Sequence, residues 1–262
     1  MDMAYFKAEQ TRDALVEWIK DWFEKNGPDC KAVIGISGGK DSAIAAALTT
    51  RAIGKERVLG VLMPNGVQKD IGDSIAVCNS LGIKYIVVNI NDGYKGIAGN
   101  ALNALKDYDD YTQLSDQTLV NLAPRLRMAT LYAVSQTVKG RVVNTSNLSE
   151  FTAGYFTRWG DECGDFKPFI NLTKSEVVAI GLTMPEIPRY LVEKTPADGL
   201  SEQTDEDRLG FTYDDLDKWI RARGVNTVGE DTVAKIRAKW EGVKFKLKAP
   251  DAFPGPEIDN EK

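Results

Sequence analysis

The chain has 262 residues, of which 38 are acidic and 33 basic, for a net charge of −5. That balance gives no global field favouring nucleic acid or an anionic membrane. With no histidine in the sequence, a Ser-His-Asp or Cys-His engine, the usual zinc sites and any histidine base are excluded.

The length suffices for one large α/β domain with an ample core, and neither repeats nor a second-domain boundary interrupt it. No apolar stretch is long enough to span a bilayer, and the N-terminus lacks a charged-then-apolar signal pattern. Cys30, Cys78 and Cys163 are scattered, form no CxxC and cannot all pair. Reduced thiols in the cytoplasm are the simplest account.

Residues 6–25 set Leu15, Trp18, Ile19, Trp22 and Phe23 at helical spacing before the Asn26-Gly27-Pro28 stop. This helix reads as scaffold, with core packing or a subunit contact as its use. Next comes AVIGI, an unalternating β-branched run expected of a parallel strand covered on both faces. The turn SGGKDS and a helix follow it. Adjacent glycines bring backbone amides close to a guest, and the helix points its positive end at the same spot, so the turn suits phosphate. Asp41 inside that cradle makes sense if a divalent cation accompanies the phosphate, although Ser37 or Asp41 as a plain cap explains the pattern too. The loop is not a Walker A motif, because its leading glycine would fall at Ile34 and Asp41 stands where Ser or Thr is needed.

A second strand is predicted over residues 57–63, a helix over 69–81 and a third strand over 84–90. Residues 92–122 read as a polar, partly helical excursion. A helix opening on a first-turn Pro124 runs to Lys139, and the fourth strand is Arg141-Val142-Val143-Asn144. Further helices are predicted over 174–181, 213–222 and 231–242. The alternation implies an α/β fold with a doubly wound, mostly parallel sheet flanked by helices. Ligands of such sheets bind beyond the carboxyl ends of the strands. SGGKDS, Met63-Pro64-Asn65-Gly66, Asn91-Asp92 and Thr145-Ser146-Asn147 all fall on that edge.

Four constellations there bear on chemistry. Arg125 and Arg127 point roughly 200° apart on a helix, and cations in a first turn oppose its dipole, which hints at an anionic partner for at least one. Glu150 lies three residues after Asn147; a capping box and a magnesium ligand paired with Asp41 are equally admissible. Thr173-Lys174-Ser175-Glu176 is also a capping-box pattern, and Lys174 is either a solvated lysine or a point charge for phosphate. The loop from Tyr155 to Asp165 is too loaded with aromatics and charge for a plain connector and fits a polar, aromatic-bearing ligand. Residues 194–210, without an apolar face, read as an exposed loop or a lid.

Taken in order, these segments resemble ammonia-dependent NAD synthetases of the N-type ATP pyrophosphatase superfamily. The family's P-x-G-x-Q matches Pro64 to Gln68, and its N-x-x-x-R-x-R-M matches Asn121 to Met128. Its E-x-x-x-G-x-F-T-[KR]-x-G-D-x-x-x-D block matches Glu150 to Asp165. L-x-K is Leu172-Thr173-Lys174, and Leu209-Gly210 closes a D-E-x-x-L-G-like stretch. The resemblance implies an adenine nucleotide alpha hydrolase-like fold in a single domain over 1–262, without a glutaminase domain. It implies ATP-dependent amidation of deamido-NAD by ammonia through an adenylated intermediate, with Mg2+ and a homodimer.

By the same resemblance, Asp41 and Glu150 hold magnesium. Gly35, Ile36, Ser37, Gly38, Gly39, Lys40, Asp41, Ser42, Met63, Gln68, Thr145, Lys174 and Thr195 bind ATP. Arg125, Arg158, Asp165 and Lys246 hold deamido-NAD, and Asp161 is the nearest guess at a base. Two departures stand out: Thr195-Pro196-Ala197 replaces P-[ST]-A, and Phe245 precedes Lys246 where many members have histidine. Two other readings share SGGKDS. A tRNA-modifying adenylating enzyme is disfavoured by the acidic balance and the lack of CxxC, and a non-catalytic ATP sensor would leave Glu150, Arg158 and Asp165 idle.

Overall fold

The apolar run after Cys30 forms β1 (Lys31–Gly35), whose three central residues are fully buried. In the computed structural model, which describes residues 5–68, 70–194, 204–223 and 225–253, β1 is joined by β2 (Val58–Leu62), β3 (Lys84–Val87) and β4 (Gly140–Val142). All pairings are parallel and the spatial order is β3-β2-β1-β4. The doubly wound sheet expected from the alternation is therefore present. β2, β3 and β4 are shorter than the apolar runs that announce them, and the residues just past their last pairs lie at the ligand edge.

The helices are α1 (Ala8–Asn26), α2 (Lys40–Ile53), α3 (Ile71–Leu81), α4 (Asn91–Asp109), α5 (Asp116–Thr137) and α6 (Leu148–Ala153). They continue with α7 (Lys174–Leu182), α8 (Arg189–Glu193), α9 (Asp205–Leu209), α10 (Tyr213–Arg221) and α11 (Glu230–Leu247). One face of the sheet carries Ala32 and Ile34 into a core with Ile19, Phe23, Ile44, Leu48, Phe169 and Ile180. On the other face Gly35 lies against Leu131 of α5. Trp22 stacks on Phe166 with ring centroids 4.4 Å apart, so α1 serves the core. A second cluster, Ala153, Leu209, Phe211, Tyr213, Leu216 and Ile236, ties α6, α9, α10 and α11 together beyond the strand ends.

Three expectations are corrected. α5 does not open on Pro124: Ser115 caps it by accepting from the Thr118 amide, and the proline lies inside the helix. A cap satisfies an orphan amide at the start, whereas an interior proline removes one ladder bond that packing can absorb. Arg125 and Arg127 are consequently mid-helix, and the dipole argument for their partners lapses. Residues 205–209 form a helix with Leu209 buried rather than an apolar-free loop. Thr195 and residues 195–203 of the expected lid lie outside the described residues.

Candidate active site

α2 begins on SGGKDS with nothing covering its first amides. Gly38 takes a positive φ of 81° and the N-cap, Gly39, offers no side-chain bond. Ser42 Oγ donates to the Gly39 carbonyl (2.9 Å), while Ser37 Oγ accepts from the Gly39 amide (3.2 Å), so the serines hold the turn in shape. Such an uncapped start is a ready anion site. Burial and the nearby charge of Lys174 lower the pKa of Lys40, the lysine of this turn.

Across from it, Lys174 Nζ lies 2.8 Å from Asp41 Oδ2 and 2.8 Å from Glu150 Oε1. Lysine at the first position of α7 opposes that helix's dipole, and two carboxylates offset the cost. Burial works against its charge, but Asp41 and Glu150 outweigh it and hold its pKa well above the ordinary lysine value. Burial, with Asp41 adding repulsion, pushes Glu150 up to about 7 despite the pull of Lys174. Lys174 is therefore not the solvated lysine of one sequence reading: its side chain is 7 % exposed. Glu150 combines both of its readings. Its Oε2 accepts from the Asn147 amide in a full capping box while Oε1 faces Lys174. Thr173 and Glu176 likewise form a full capping box.

The residue that sequence reasoning missed is Asp217. It is fully buried on α10, accepts from Ser149 Oγ–H, and accepts from the Ser175 amide at 2.9 Å. Ser149 Oγ in turn accepts from the Lys174 amide at 2.9 Å. One carboxylate thus braces α6, which bears Glu150, against α7, which bears Lys174. A signal was available, since Tyr213, Leu216, Asp217 and Ile220 form one i, i+3, i+4, i+7 stripe. A carboxylate in an apolar stripe demands partners.

A cavity of about 1490 Å³ opens over the strand ends, more than the ~300–1,000 Å³ usual for one small ligand. It brings together most of the predicted site: Gly35 to Ser42 except Gly38, with Met63, Gln68, Thr145, Glu150 and Lys174 on one side. Arg125, Arg158, Asp161 and Lys246 line the far wall. Arg125 donates to the Arg158 carbonyl (3.3 Å), and the Arg158 guanidinium stacks over Trp159 at 4.9 Å. Asp161 accepts from the Thr157 amide at 2.9 Å, and the cavity walls raise its pKa through desolvation. Asn144, buried at the end of β4, donates to the carbonyls of Asp161 and Cys163, at 3.0 and 3.1 Å. Gly164 permits this approach, because a Cβ there would stand 2.8 Å from the Asn144 amide nitrogen.

Two expected ligand contacts are placed differently. Asp165 is not in the cavity lining; its Oδ2 accepts from the Val142 amide at 2.7 Å and secures the end of β4. Lys246 does line the cavity, but its Nζ donates to the carbonyls of Gly154 (2.7 Å) and Phe156 (2.6 Å) and clasps that loop to α11. Both act on the wall from where they stand, a use of charge that spacing does not reveal.

Asp41 and Glu150 supply the all-oxygen donor chemistry that magnesium takes. Among the described residues no group of three or more His, Cys, Asp or Glu gathers as a metal cage. Such a pair fits an ion that keeps its waters and binds substrate phosphates.

The parallel sheet, the uncapped phosphate turn and the carboxylates beside it define an ATP-binding α/β enzyme of the adenine nucleotide alpha hydrolase-like class. The family model described as NAD synthase matches residues 11–250. An NH(3)-dependent NAD(+) synthetase of Thermococcus sibiricus is 43% identical over 206 residues, 78% of this chain and 76% of that protein. Among solved structures, an NMN synthetase from Francisella tularensis matches with TM-score 0.82 and 30% identity over 95% of this chain and 100% of that one. An NH3-dependent NAD synthetase from Campylobacter jejuni gives TM-score 0.73 and 25% identity over 94% and 99%. The chain belongs to the NAD synthase family and is a ligase that forms NAD.

Proposed function

We propose that this chain amidates deamido-NAD with free ammonia, consuming ATP and releasing AMP and pyrophosphate. A carboxylate oxygen of deamido-NAD attacks the α-phosphorus of ATP. The α–β bridging bond breaks and its electron pair leaves with pyrophosphate. Ammonia then attacks the activated carbonyl carbon, the carbon–oxygen bond to AMP breaks, and a proton is lost from nitrogen. The observation that carries this reading is Lys174 held between Asp41 and Glu150 opposite the uncapped start of α2.

In this reading the amides and serines of Gly35 to Ser42 grip the β,γ-phosphates, with Lys40, Lys174 and Thr145 beside them. Met63 and Gln68 border the adenosine side. Asp41 and Glu150 hold magnesium, which supplies positive charge where the phosphoryl oxygens gain negative charge. Arg125 and Arg158 attract the nicotinate-bearing substrate across a wall kept in shape by Lys246 and Asp165. Asp161, its pKa raised, takes the proton from ammonia. The assay combines protein, ATP, magnesium, ammonium and deamido-NAD. NAD and AMP in equal amounts are expected; ATP binding without NAD would leave the protein a nucleotide sensor.

A second activity beside NAD formation, amidation of the nicotinate mononucleotide to NMN, is favoured by the higher TM-score to the Francisella enzyme, 0.82 against 0.73. The same assay with the mononucleotide in place of deamido-NAD distinguishes the two by kcat/KM.

We also propose a homodimer. All four residues of β3 are exposed, α4 buries none of its 19 residues, and Ile97, Leu119 and Val120 add to the uncovered apolar surface. A second copy of the chain is the occupant, in line with the dimer the family resemblance implies. The free thiols of Cys30, Cys78 and Cys163 support a cytoplasmic location. Among the described residues no helix is long and apolar enough to cross a membrane.

A further inference from the structure

Arg127 lies two residues after Arg125 on α5 and faces a different way. Arg125 is exposed, whereas Arg127 is half-buried over the C-terminal end of β2. Its Nε donates to the Met63 carbonyl at 3.1 Å. That is its sole hydrogen bond among the described residues, and no carboxylate there forms an ion pair with it. A guanidinium carries five N–H donors in a rigid plane, so the four on Nη1 and Nη2 remain open to the cavity that Arg127 lines. Three of the other lining cations are engaged: Lys174 with two carboxylates, Lys194 with Asp70 and Asp73, Lys246 with two carbonyls.

A desolvated cation without an anion is costly. Burial weakens the hold of Arg127 on its proton, and Asp161, on the loop beyond β4, is the acid whose field opposes that. Met63 follows the last residue of β2 and Asp161 lies beyond β4, while β1 lies between those two strands in the sheet. Arg127 therefore overhangs the strand whose end opens into SGGKDS. The bond to Met63 fixes the plane of the guanidinium and leaves its outer edge for a ligand.

We infer that Arg127 is a receptor for an anionic oxygen of the bound substrates, presenting its Nη edge to a phosphoryl or carboxylate group above the end of β1. This rests on the proposed amidation for the identity of the substrates, ATP or deamido-NAD, but not for the presence of an anion. Arginine suits the place because its planar fork binds two oxygens at once, which a lysine point charge does not.

The test compares wild type with Arg127→Gln and Arg127→Lys. Equilibrium binding of ATP and of deamido-NAD is measured separately, without turnover, together with kcat, both KM values and the melting shift each substrate produces. Arg127→Gln is expected to lose at least about tenfold in one affinity or in kcat. Arg127→Lys should lie between it and wild type, and the substrate-induced melting shift should shrink. Loss confined to ATP assigns its phosphates, loss confined to deamido-NAD assigns its carboxylate or diphosphate, and loss in kcat alone assigns charge developing at the α-phosphoryl group. A role limited to holding Met63 would lower the melting temperature and leave the ligand-induced shifts intact. Affinities and kcat all within about threefold of wild type in either folded variant overturn the inference. If wild type makes no NAD, the amidation reading falls while the binding comparison still decides the role of Arg127.

Discussion

Lys174 Nζ sits 2.8 Å from Asp41 Oδ2, which joins the amino-terminal turns of α7 and α2 across the phosphate cradle. With Glu150 the cluster sets two carboxyl groups against one ammonium, the acid-rich pair that the proposed reaction assigns to magnesium. The ammonium keeps the acids paired and neighbouring, and in the proposed reaction phosphates are its second set of partners.

Replacing Lys174 by methionine removes that pairing and leaves Asp41 and Glu150 facing each other. NAD formation is expected to fall by at least about 100-fold, the scale seen when one preorganised charge is removed from a transition state. Stability should fall by about 3 kcal/mol, since breaking a buried pair strands the remaining charge. Magnesium without nucleotide should raise the melting temperature of Lys174→Met more than that of wild type. Equal magnesium shifts in a calorimetric scan would remove Asp41 and Glu150 from the metal reading.

Much of this site was legible because short-range rules govern it. The run into SGGKDS, the two capping boxes and the strand–helix alternation are local patterns that the structure repeats. What sequence spacing did not reveal is where long side chains end up. Lys246 and Asp165, which the family resemblance puts at a ligand, bind backbone groups of the wall. Pro124 suits a helix start by its own chemistry, but the cap at Ser115, nine residues earlier in the chain, starts α5 instead. The exposure of all four residues of β3 is likewise nothing that the apolar run over 84–90 announces.

Arg221 provides a stability control away from the chemistry. Its guanidinium pairs with both oxygens of Glu176, which is 2 % exposed, and donates to the Asn171 carbonyl at 2.9 Å. Arg221→Ala is expected to cost about 3–5 kcal/mol, because a buried carboxylate loses its cation. KM for ATP and for deamido-NAD in the folded fraction should stay near wild type. Denaturant unfolding and steady-state kinetics measured together would expose any larger effect on binding than on stability.

The apolar surface along β3 and α4 makes a prediction about mass. Val87 and Ile97 are 51 % and 49 % exposed, and a glutamate at each would have to be desolvated in an interface. Wild type is expected to sediment at twice the 28.9 kDa chain mass, and Val87→Glu with Ile97→Glu at the single-chain mass. A wild-type monomer at micromolar concentration ends the homodimer reading.

Asp217 links stability to pH with a definite sign. Burial raises its pKa from the ordinary value of 3.8, although its bonds to Ser149 and Ser175 pull the other way. The folded state therefore holds this proton to higher pH than the unfolded state does. By linkage, stability from this group is greatest below pH 3.8 and declines as pH rises through the window between the unfolded and folded values. Asp217→Asn cannot ionise, so its unfolding free energy, measured from pH 4 upward, should lack that decline relative to wild type. Asp217→Ala strands the Ser149 hydroxyl and the Ser175 amide and should cost about 3 kcal/mol. It should also lower kcat more than it raises KM, since the backbone of Lys174 loses its anchor through Ser149. If kcat were untouched while stability fell, the brace would serve the fold alone, and the placement of Lys174 would have to rest on Asp41 and Glu150.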